Sequence, residues 1–155
     1  MDSYAPSIFQ SRGRIGRLRF FLYMSTMIFI PAALMLLAIL VGVSSSSDGA
    51  GVALSLIVML AWIPCMVMMV LHCTRRLNDF NATGWWLLLY FVPFVGLLIG
   101  LALLFAPGTP GPNRHGVPST PNSDAEKALC VLVVIMSLVV LMASISIIDA
   151  GSLRY

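Results

Sequence analysis

Residues 75–86 read RRLNDFNATGWW and separate two long apolar runs of the chain. The stretch begins with Arg75 and Arg76 and ends with Trp85 and Trp86. Arginine and tryptophan concentrate where membrane-crossing segments meet the lipid headgroups, because each combines an apolar body with a polar end. The stretch therefore predicts a membrane boundary, and its flanks predict the segments that enter the bilayer.

The composition agrees with a membrane protein. Hydrophobic residues make up 59% of the chain, charged residues only 10%, and the mean hydropathy is +0.97. Soluble proteins average about 45–50% apolar and about 25% charged residues. Apolar runs long enough to cross a hydrocarbon core must be helical, because their backbone polar groups find no other partners there. We therefore predict an all-α membrane protein with four transmembrane helices, at about residues 20–43, 52–71, 85–106 and 128–148.

The basic residues indicate how these helices are oriented, because short cytoplasmic loops of membrane proteins are enriched in Lys and Arg. With four full crossings, one side holds only Arg114 and Lys127. We therefore expect both termini in the cytoplasm. The basic residues of that side are Arg12, Arg14, Arg17, Arg19, Arg75, Arg76 and Arg154.

The opening stretch also holds a candidate ion pair. Asp79 follows Arg75 by four residues and Arg76 by three, so a continuing second helix would let its carboxylate pair with either guanidinium group. Thr83 precedes the third predicted helix and is a candidate N-cap, because its hydroxyl can accept a hydrogen bond from the first turn.

The arginines near the N-terminus flank a narrow apolar stripe when they are placed at helical spacing. Such a pattern is typical of a segment lying at the interface, with guanidinium groups reaching lipid phosphates on both sides. The expected partners are membrane lipids with anionic headgroups, a second copy of the chain or another membrane protein. The candidate lipid- or partner-binding residues are Arg12, Arg14, Arg17, Arg19, Arg75, Arg76, Asp79, Trp85 and Trp86.

Small residues and prolines inside the apolar runs suggest packing and bending. Gly96 and Gly100 form a G-x-x-x-G motif, which allows close helix contact. Pro31, Pro64 and Pro93 each predict a kink, which is either static or a hinge in a cavity wall. Hinged helices would suit a transporter, but the runs lack the ionisable side chains that usually carry ions or protons.

The sequence gives no sign of catalytic chemistry. Cys65, Cys73 and Cys130 form no C-x-x-C pair, and no second His or Cys stands at ligand spacing beside His72. We expect no metal, no cofactor, no catalytic residue and no enzymatic activity. The basic residues adjoin apolar runs, which favours lipid headgroups over nucleic acid as their partner.

Three separated blocks carry a family resemblance: GRIGRLRFF at residues 13–21, the opening stretch, and PGTPGPNRHG at residues 107–116. Together they resemble the YhaH-like family of small bacterial inner-membrane proteins, domain of unknown function 805. The resemblance covers about residues 10–118, and residues 119–155 look like a linker with an additional transmembrane helix. Asn78 stands where the family commonly has His.

The resemblance implies a protein of the bacterial cytoplasmic membrane, but no known activity. It also assigns several residues to family motifs. In the opening stretch these are Arg75, Arg76, Asp79, Gly84, Trp85 and Trp86, and in the third block they are Gly108, Thr109, Gly111, Asn113 and Gly116.

The third block raises a topological question. If the run at residues 85–106 crosses the membrane fully, the third block lies on the opposite side from the two arginine blocks. A re-entrant hairpin bent at Pro93, Phe94 and Gly96 would instead bring all three blocks to one face. The length of the run favours the full crossing.

The function expected from the sequence is that of an integral inner-membrane protein of unknown biochemical activity. It would be non-enzymatic and would contact anionic lipid or a protein partner through its interfacial arginines. The alternative is a small transporter or channel subunit with proline-kinked helices, and an enzyme acting on lipid comes third.

Overall fold

The computed structural model describes residues 11–44 and 48–152 of the 155-residue chain. Residue 10, at the start of the predicted family domain, and Arg154, which entered the prediction of orientation, lie outside the described residues. The chain divides into two compact units, Met1–Pro121 and Asn122–Tyr155.

The described residues form helices and no β-strand, which confirms the predicted all-α class. One isolated antiparallel bridge joins Asn113 and Gly116 within a turn. The first unit contains α1 (Arg17–Ser44), α2 (Asp48–Asp79), a 3-10 helix (Gly84–Phe91) and α3 (Val95–Phe105), and the second unit contains α4 (Asp124–Ser152).

Helices α1 and α2 form an antiparallel pair. At one end of the pair Gly42 lies against Gly51, and at the other end the rings of Tyr23 and His72 lie 4.7 Å apart. The helices remain continuous through Pro31 and Pro64. Both contain the apolar runs predicted for them, and α2 continues past its run as far as Asp79.

Most apolar side chains of this pair point away from the protein. Leu36, Ile57 and Leu60 are 58%, 63% and 61% exposed, and many of their neighbours are similar. Among the described residues, Arg17–Gly42 and Gly51–Asp79 are long and apolar enough to cross a membrane. Hydrocarbon is the environment in which such a surface needs no further cover.

The third apolar run differs from the expected continuous helix. It forms the 3-10 helix and α3, separated at Val92–Phe94. Pro93 has no N–H and disfavours helical backbone at Val92, which is extended, while Phe94 adopts a left-handed φ of 63°. The 3-10 helix begins directly after Thr83, which occupies the expected N-cap position, but the Thr83 side chain makes no capping hydrogen bond.

Helix α4 begins with a reciprocal cap. The backbone N–H of Ser123 donates to Glu126 Oε2 at 2.8 Å, and the backbone N–H of Glu126 donates to Ser123 Oγ at 3.2 Å. This capping box satisfies two amide groups at the helix start. The helix contains the fourth apolar run, whose crossing of the membrane stays a prediction.

The buried core of the first unit lies where the arginines are. Ile15, Phe20, Leu77 and Leu103 form one apolar cluster, in which each side chain is 4% exposed or less. Ile15 lies just before α1 and Phe20 at its start, while Leu77 and Leu103 lie near the ends of α2 and α3. The packed part of this unit is therefore one end of the helix pair, and the remainder of the pair is largely uncovered.

Close packing of α1 and α2 at Gly51 generates a stability prediction. A Cβ at Gly51 would overlap Gly42, whereas a Cβ at Gly49 would meet nothing within 4 Å. Alanine has the higher helix propensity at both positions, so a loss of stability in Gly51→Ala but not in Gly49→Ala reports the overlap. We expect Gly51→Ala to be less stable than Gly49→Ala by about 1–3 kcal/mol, measured by unfolding of bicelle-reconstituted protein in SDS. Equal stabilities would contradict this packing.

Candidate functional site

The last two turns of α2 carry a buried ion pair. Arg76 and Asp79 are three residues apart, and Arg76 Nη1 donates to Asp79 Oδ2. The Arg76 side chain is fully buried, and that of Asp79 is 10% exposed. The helix therefore places a charged pair inside the protein, as the sequence spacing allowed for Arg76.

A second arginine reaches the same carboxylate from the N-terminal segment. Arg14 Nε donates to Asp79 Oδ1 at 2.9 Å, and the Arg14 side chain is 1% exposed. One carboxylate thus lies between two guanidinium groups that are far apart in sequence. Charge-assisted hydrogen bonds of this kind are about twice as strong as neutral ones.

Arg14 also holds the segment that follows α3. Its Nη1 donates to the carbonyl oxygen of Gly111 at 2.6 Å and to that of Gly116 at 3.3 Å, and its Nη2 donates to the carbonyl of Thr109. These carbonyls belong to the third family block. Arg14 therefore connects the first block to the third directly and to the second through Asp79.

Arg76 satisfies the end of α3. Its Nε donates to the carbonyl oxygen of Leu103 at 2.8 Å, and its Nη2 donates to that of Ala106. The last carbonyls of a helix lack partners within the helix and carry partial negative charge, so a cation stabilises them. The Arg76 guanidinium also lies 4.5 Å from the centre of the Phe80 ring, in cation–π geometry.

Neutral hydrogen bonds join the same three blocks. Asn78 Nδ2 donates to the Gly13 carbonyl at 3.1 Å, and Asn113 Nδ2 donates to the Asn78 carbonyl at 2.9 Å. The backbone N–H and the hydroxyl of Thr109 both donate to the Asp79 carbonyl, at 2.8 and 2.9 Å. The Asn78 side chain therefore donates a hydrogen bond from the second block to the first.

The glycines of the third block have two different physical roles. Gly108 lies against the Asp79 carboxylate, and a Cβ there would overlap it. Gly111 and Gly116 have φ values of 72° and 115°, which favour glycine. With these glycines the loop can turn tightly while presenting its carbonyls to Arg14.

The expectation that the third block lies apart from the arginine blocks is wrong. The loop contacts Arg14 and Asp79 because the apolar run before it returns to the end of α2. At the beginning of the run, a Cβ at Gly84 would lie 3.2 Å from the Thr74 side chain. Near the end of the run, the Leu103 carbonyl accepts a hydrogen bond from Arg76. The three blocks lie together at one end of the helix pair, as the hairpin alternative expected.

The arginines proposed to bind lipid fall into two groups. Arg14, Arg19, Arg75 and Arg76 are each 7% exposed or less. Arg19 donates to the carbonyls of Thr120 and Pro121 at 2.9 and 3.1 Å. The exposed arginines of this group are Arg12 and Arg17, and Arg114 of the third block is also exposed.

Other candidate residues lie in the returning segment. Trp85 and Trp86 are 77% and 52% exposed, at the start of the 3-10 helix. Gly96 and Gly100 pack against Tyr90 of that helix. A Cβ at Gly96 would lie 2.6 Å from the Tyr90 carbonyl oxygen, and a Cβ at Gly100 would lie 3.3 Å from the Tyr90 hydroxyl. The G-x-x-x-G motif therefore makes its contact within the chain.

His72 is a buried polar residue that sequence reasoning did not select. Its side chain is fully buried next to Tyr23, and neither ring nitrogen has a hydrogen-bond partner among the described residues. His72 stands four residues before Arg76 and seven before Asp79, so the helical spacing places all three on one face of α2, and this spacing could have predicted its burial with them. No group of three or more His, Cys, Asp or Glu side chains in the described part of the chain could hold a metal ion.

Comparison with known proteins identifies the family of this chain. The model of the family "Protein of unknown function (DUF805)" matches residues 8–117, which include all three blocks and the cluster they form. This chain belongs to the DUF805 family. The match confirms the resemblance read from the three blocks.

Two curated relatives of this DUF805 member are inner membrane proteins of Escherichia coli K12. The chain is 31% identical to inner membrane protein YhaH over 105 residues, which is 68% of this chain and 83% of that protein. It is 50% identical to inner membrane protein YhaI over 42 residues, covering 27% and 36% of the two chains. No solved structure matches.

The buried position of Asp79 generates the second prediction. In Asp79→Asn the guanidinium groups of Arg14 and Arg76 lose their shared counter-charge while remaining buried, which costs about 3–5 kcal/mol of unfolding free energy. The matched control is Asp124→Asn, which removes the exposed pair with Lys127 at the same three-residue spacing. We expect little change there, because exposed pairs contribute little. Similar losses in both variants would contradict the structural role of Asp79.

Proposed function

We propose that this chain is a non-enzymatic, multi-pass protein of the bacterial inner membrane that contacts anionic lipid headgroups through exposed arginines at one end. The curated relatives are named inner membrane proteins, and α1 and α2 have the length and exposed apolar surface of membrane-crossing helices. Both observations support the location. The headgroup contact rests on the distribution of charge.

The observation that carries the proposal is the excess of positive charge at the packed end of the first unit. Every arginine between residues 12 and 114 lies at this end, in the segment before α1, at the start of α1, at the end of α2 or in the third block. Between residues 3 and 123 the only carboxylate side chains are Asp48 and Asp79. Asp48 is at the opposite end of α2, and Asp79 is already engaged by Arg14 and Arg76. Phosphate groups of lipids are the complementary charge nearest to such an end.

In this proposal the buried arginines stabilise the fold and the exposed arginines contact lipid. The guanidinium groups of Arg14 and Arg76 are committed to carbonyls and to Asp79, so they stabilise the fold. Arg12, Arg17 and Arg114 extend outward on segments that Arg14 and Arg76 hold in place. Trp85 and Trp86 at the same end add the aromatic side chains that favour the headgroup layer.

We also propose that this end faces the cytoplasm, by the enrichment of Lys and Arg in cytoplasmic loops. In the structure Arg114 joins the other arginines, so it supports this orientation instead of opposing it. The C-terminus, which the sequence predicts to be cytoplasmic, lies outside the described residues.

Lipid-dependent stability tests the headgroup contact. We expect the purified protein to melt at a higher temperature in nanodiscs containing phosphatidylglycerol than in pure phosphatidylcholine, with the difference reduced by high salt. The triple variant Arg12→Gln, Arg17→Gln, Arg114→Gln should lose most of that difference, and its melting temperature in phosphatidylcholine should fall only slightly, because the Arg17–Phe105 hydrogen bond that it removes is exposed. Lys127→Gln, which removes an exposed cation of the second unit, is the control and should retain it.

Two results would contradict the proposal. An undiminished phosphatidylglycerol effect in the triple variant would show that these arginines do not make the headgroup contact. Selective solute or ion flux through reconstituted vesicles would favour the transporter alternative over a non-transporting role.

A further inference from the structure

The segment between α2 and the third block leaves and rejoins the same end of α2. It starts beside Thr74 at Gly84 and finishes at Leu103 and Ala106, whose carbonyls accept hydrogen bonds from Arg76. Its two arms are the 3-10 helix and α3, and we call residues 84–106 the apolar hairpin. The apolar hairpin is therefore closed at its base by the arginine–aspartate cluster.

The arms of the apolar hairpin have the length of half a bilayer. The 3-10 helix has 8 residues, and at a rise of about 2.0 Å per residue it extends about 16 Å. Helix α3 has 11 residues, and at about 1.5 Å per residue it also extends about 16 Å. Half of a hydrocarbon core of about 30 Å is about 15 Å, so each arm matches one leaflet.

The surface of the apolar hairpin is uncharged and apolar on most sides. It contains no Asp, Glu, Lys or Arg. Phe91 and Phe94 at its tip are 86% and 82% exposed, and Leu97 and Leu98 beyond the tip are 64% and 65% exposed. A helical segment that is apolar all round, instead of along one stripe, suits lipid better than the groove of a single protein partner.

The backbone of the tip is also suited to hydrocarbon. The N–H of Val92 donates to Leu89, that of Val95 to Pro93 and that of Gly96 to Val92, at 2.8 to 3.1 Å. Pro93 itself brings no N–H to the turn. An unpaired backbone polar group costs several kcal/mol in hydrocarbon, and these bonds pair three of the amides at the tip.

The base of the apolar hairpin carries polar and amphipathic groups. Trp85 lies at the start of the first arm, and Arg17 Nη1 donates to the carbonyl of Phe105 at the end of the second, at 3.2 Å. A base of this chemistry fits the headgroup layer, while the tip fits the acyl chains. The apolar hairpin is therefore polar at its base and apolar at its tip.

We propose that the apolar hairpin is a re-entrant element, inserted into the leaflet on the side of the arginine–aspartate cluster and surrounded by lipid acyl chains. It enters the hydrocarbon to about the midplane and returns without crossing. The cluster of Arg14, Arg76 and Asp79 holds its two ends together at the headgroup level. The proposal concerns depth and side, and it stands whether or not Arg12, Arg17 and Arg114 bind anionic lipid.

Depth is tested by quenching of tryptophan fluorescence with brominated phospholipids in reconstituted vesicles. The native residues Trp62, Trp85 and Trp86 are changed to Phe, and a single Trp is placed at Phe94 or Leu97. A version retaining only Trp85 reports the base, and Met66→Trp, at a 59% exposed position in the middle of α2, reports deep hydrocarbon. We expect positions 94 and 97 to be quenched most by bromines deep in the acyl chain, like position 66, and Trp85 most by bromines near the headgroup.

Sidedness is tested by labelling single cysteines in membrane vesicles, with Cys65, Cys73 and Cys130 changed to Ser. Cysteines introduced at Arg12 and Pro112, both exposed, should react with an impermeant maleimide from the same side, and a cysteine at Gly49 should react from the opposite side. Labelling of positions 12 and 112 from opposite sides would overturn the proposal. Shallow or absent quenching at both positions 94 and 97 would also overturn it. Disulfide cross-links between two copies of a Phe94→Cys variant would then show that a second copy, instead of lipid, covers the tip.

Discussion

The structure of the first unit depends on one carboxylate shared by two buried guanidinium groups. Asp79 receives Arg76 from its own helix and Arg14 from the N-terminal segment, and both arginines then extend to backbone carbonyls beyond it. Without the carboxylate, two cations would be buried at one place. Without the arginines, carbonyls at the end of α3 and in the following loop would lack their charged donors. Each component therefore depends on the others, and the network joins segments that are far apart in sequence.

The position of this network explains how an otherwise apolar chain forms a defined structure. Within hydrocarbon, apolar side chains gain little by contacting one another instead of lipid, so close packing and polar contacts must define the arrangement of helices. Here glycines allow α1 and α2 to approach at one end, and the arginine–aspartate network fixes the other end. Between these ends the pair leaves much of its apolar surface exposed. The network also closes the base of the apolar hairpin, whose arms hold no charge of their own.

The network changes how the positive charge of the family motifs is interpreted. Arginines that look equivalent in the sequence differ in the structure, because Arg14 and Arg76 are enclosed by carbonyls whereas Arg12 and Arg17 remain exposed. The residues of the third block have a similar structural explanation. Gly108 leaves room for the Asp79 carboxylate, and Thr109 and Asn113 bind the backbone at the end of α2. Much of the family signature is therefore accounted for by assembly of the fold, and the exposed arginines are the ones available for the proposed contact with lipid.

The sequence by itself determined the all-helical membrane class, the two long helices and the ability of Asp79 to pair with Arg75 or Arg76, because hydropathy, run length and helical spacing are local properties; the structure shows the pair with Arg76. It also determined the family, through three blocks that are recognisable without knowing where they meet. Only the tertiary structure decided that the blocks do meet, that Arg14 is the second partner of Asp79, and that the third apolar run turns back at Pro93. The apolar run at residues 85–106 satisfies the length needed for a crossing, and Pro93 predicts a bend without deciding between a kinked crossing and a return. The return is stabilised by contacts of Arg14 and Arg76 with residues distant in sequence, and pairing between distant residues is a property of the folded chain.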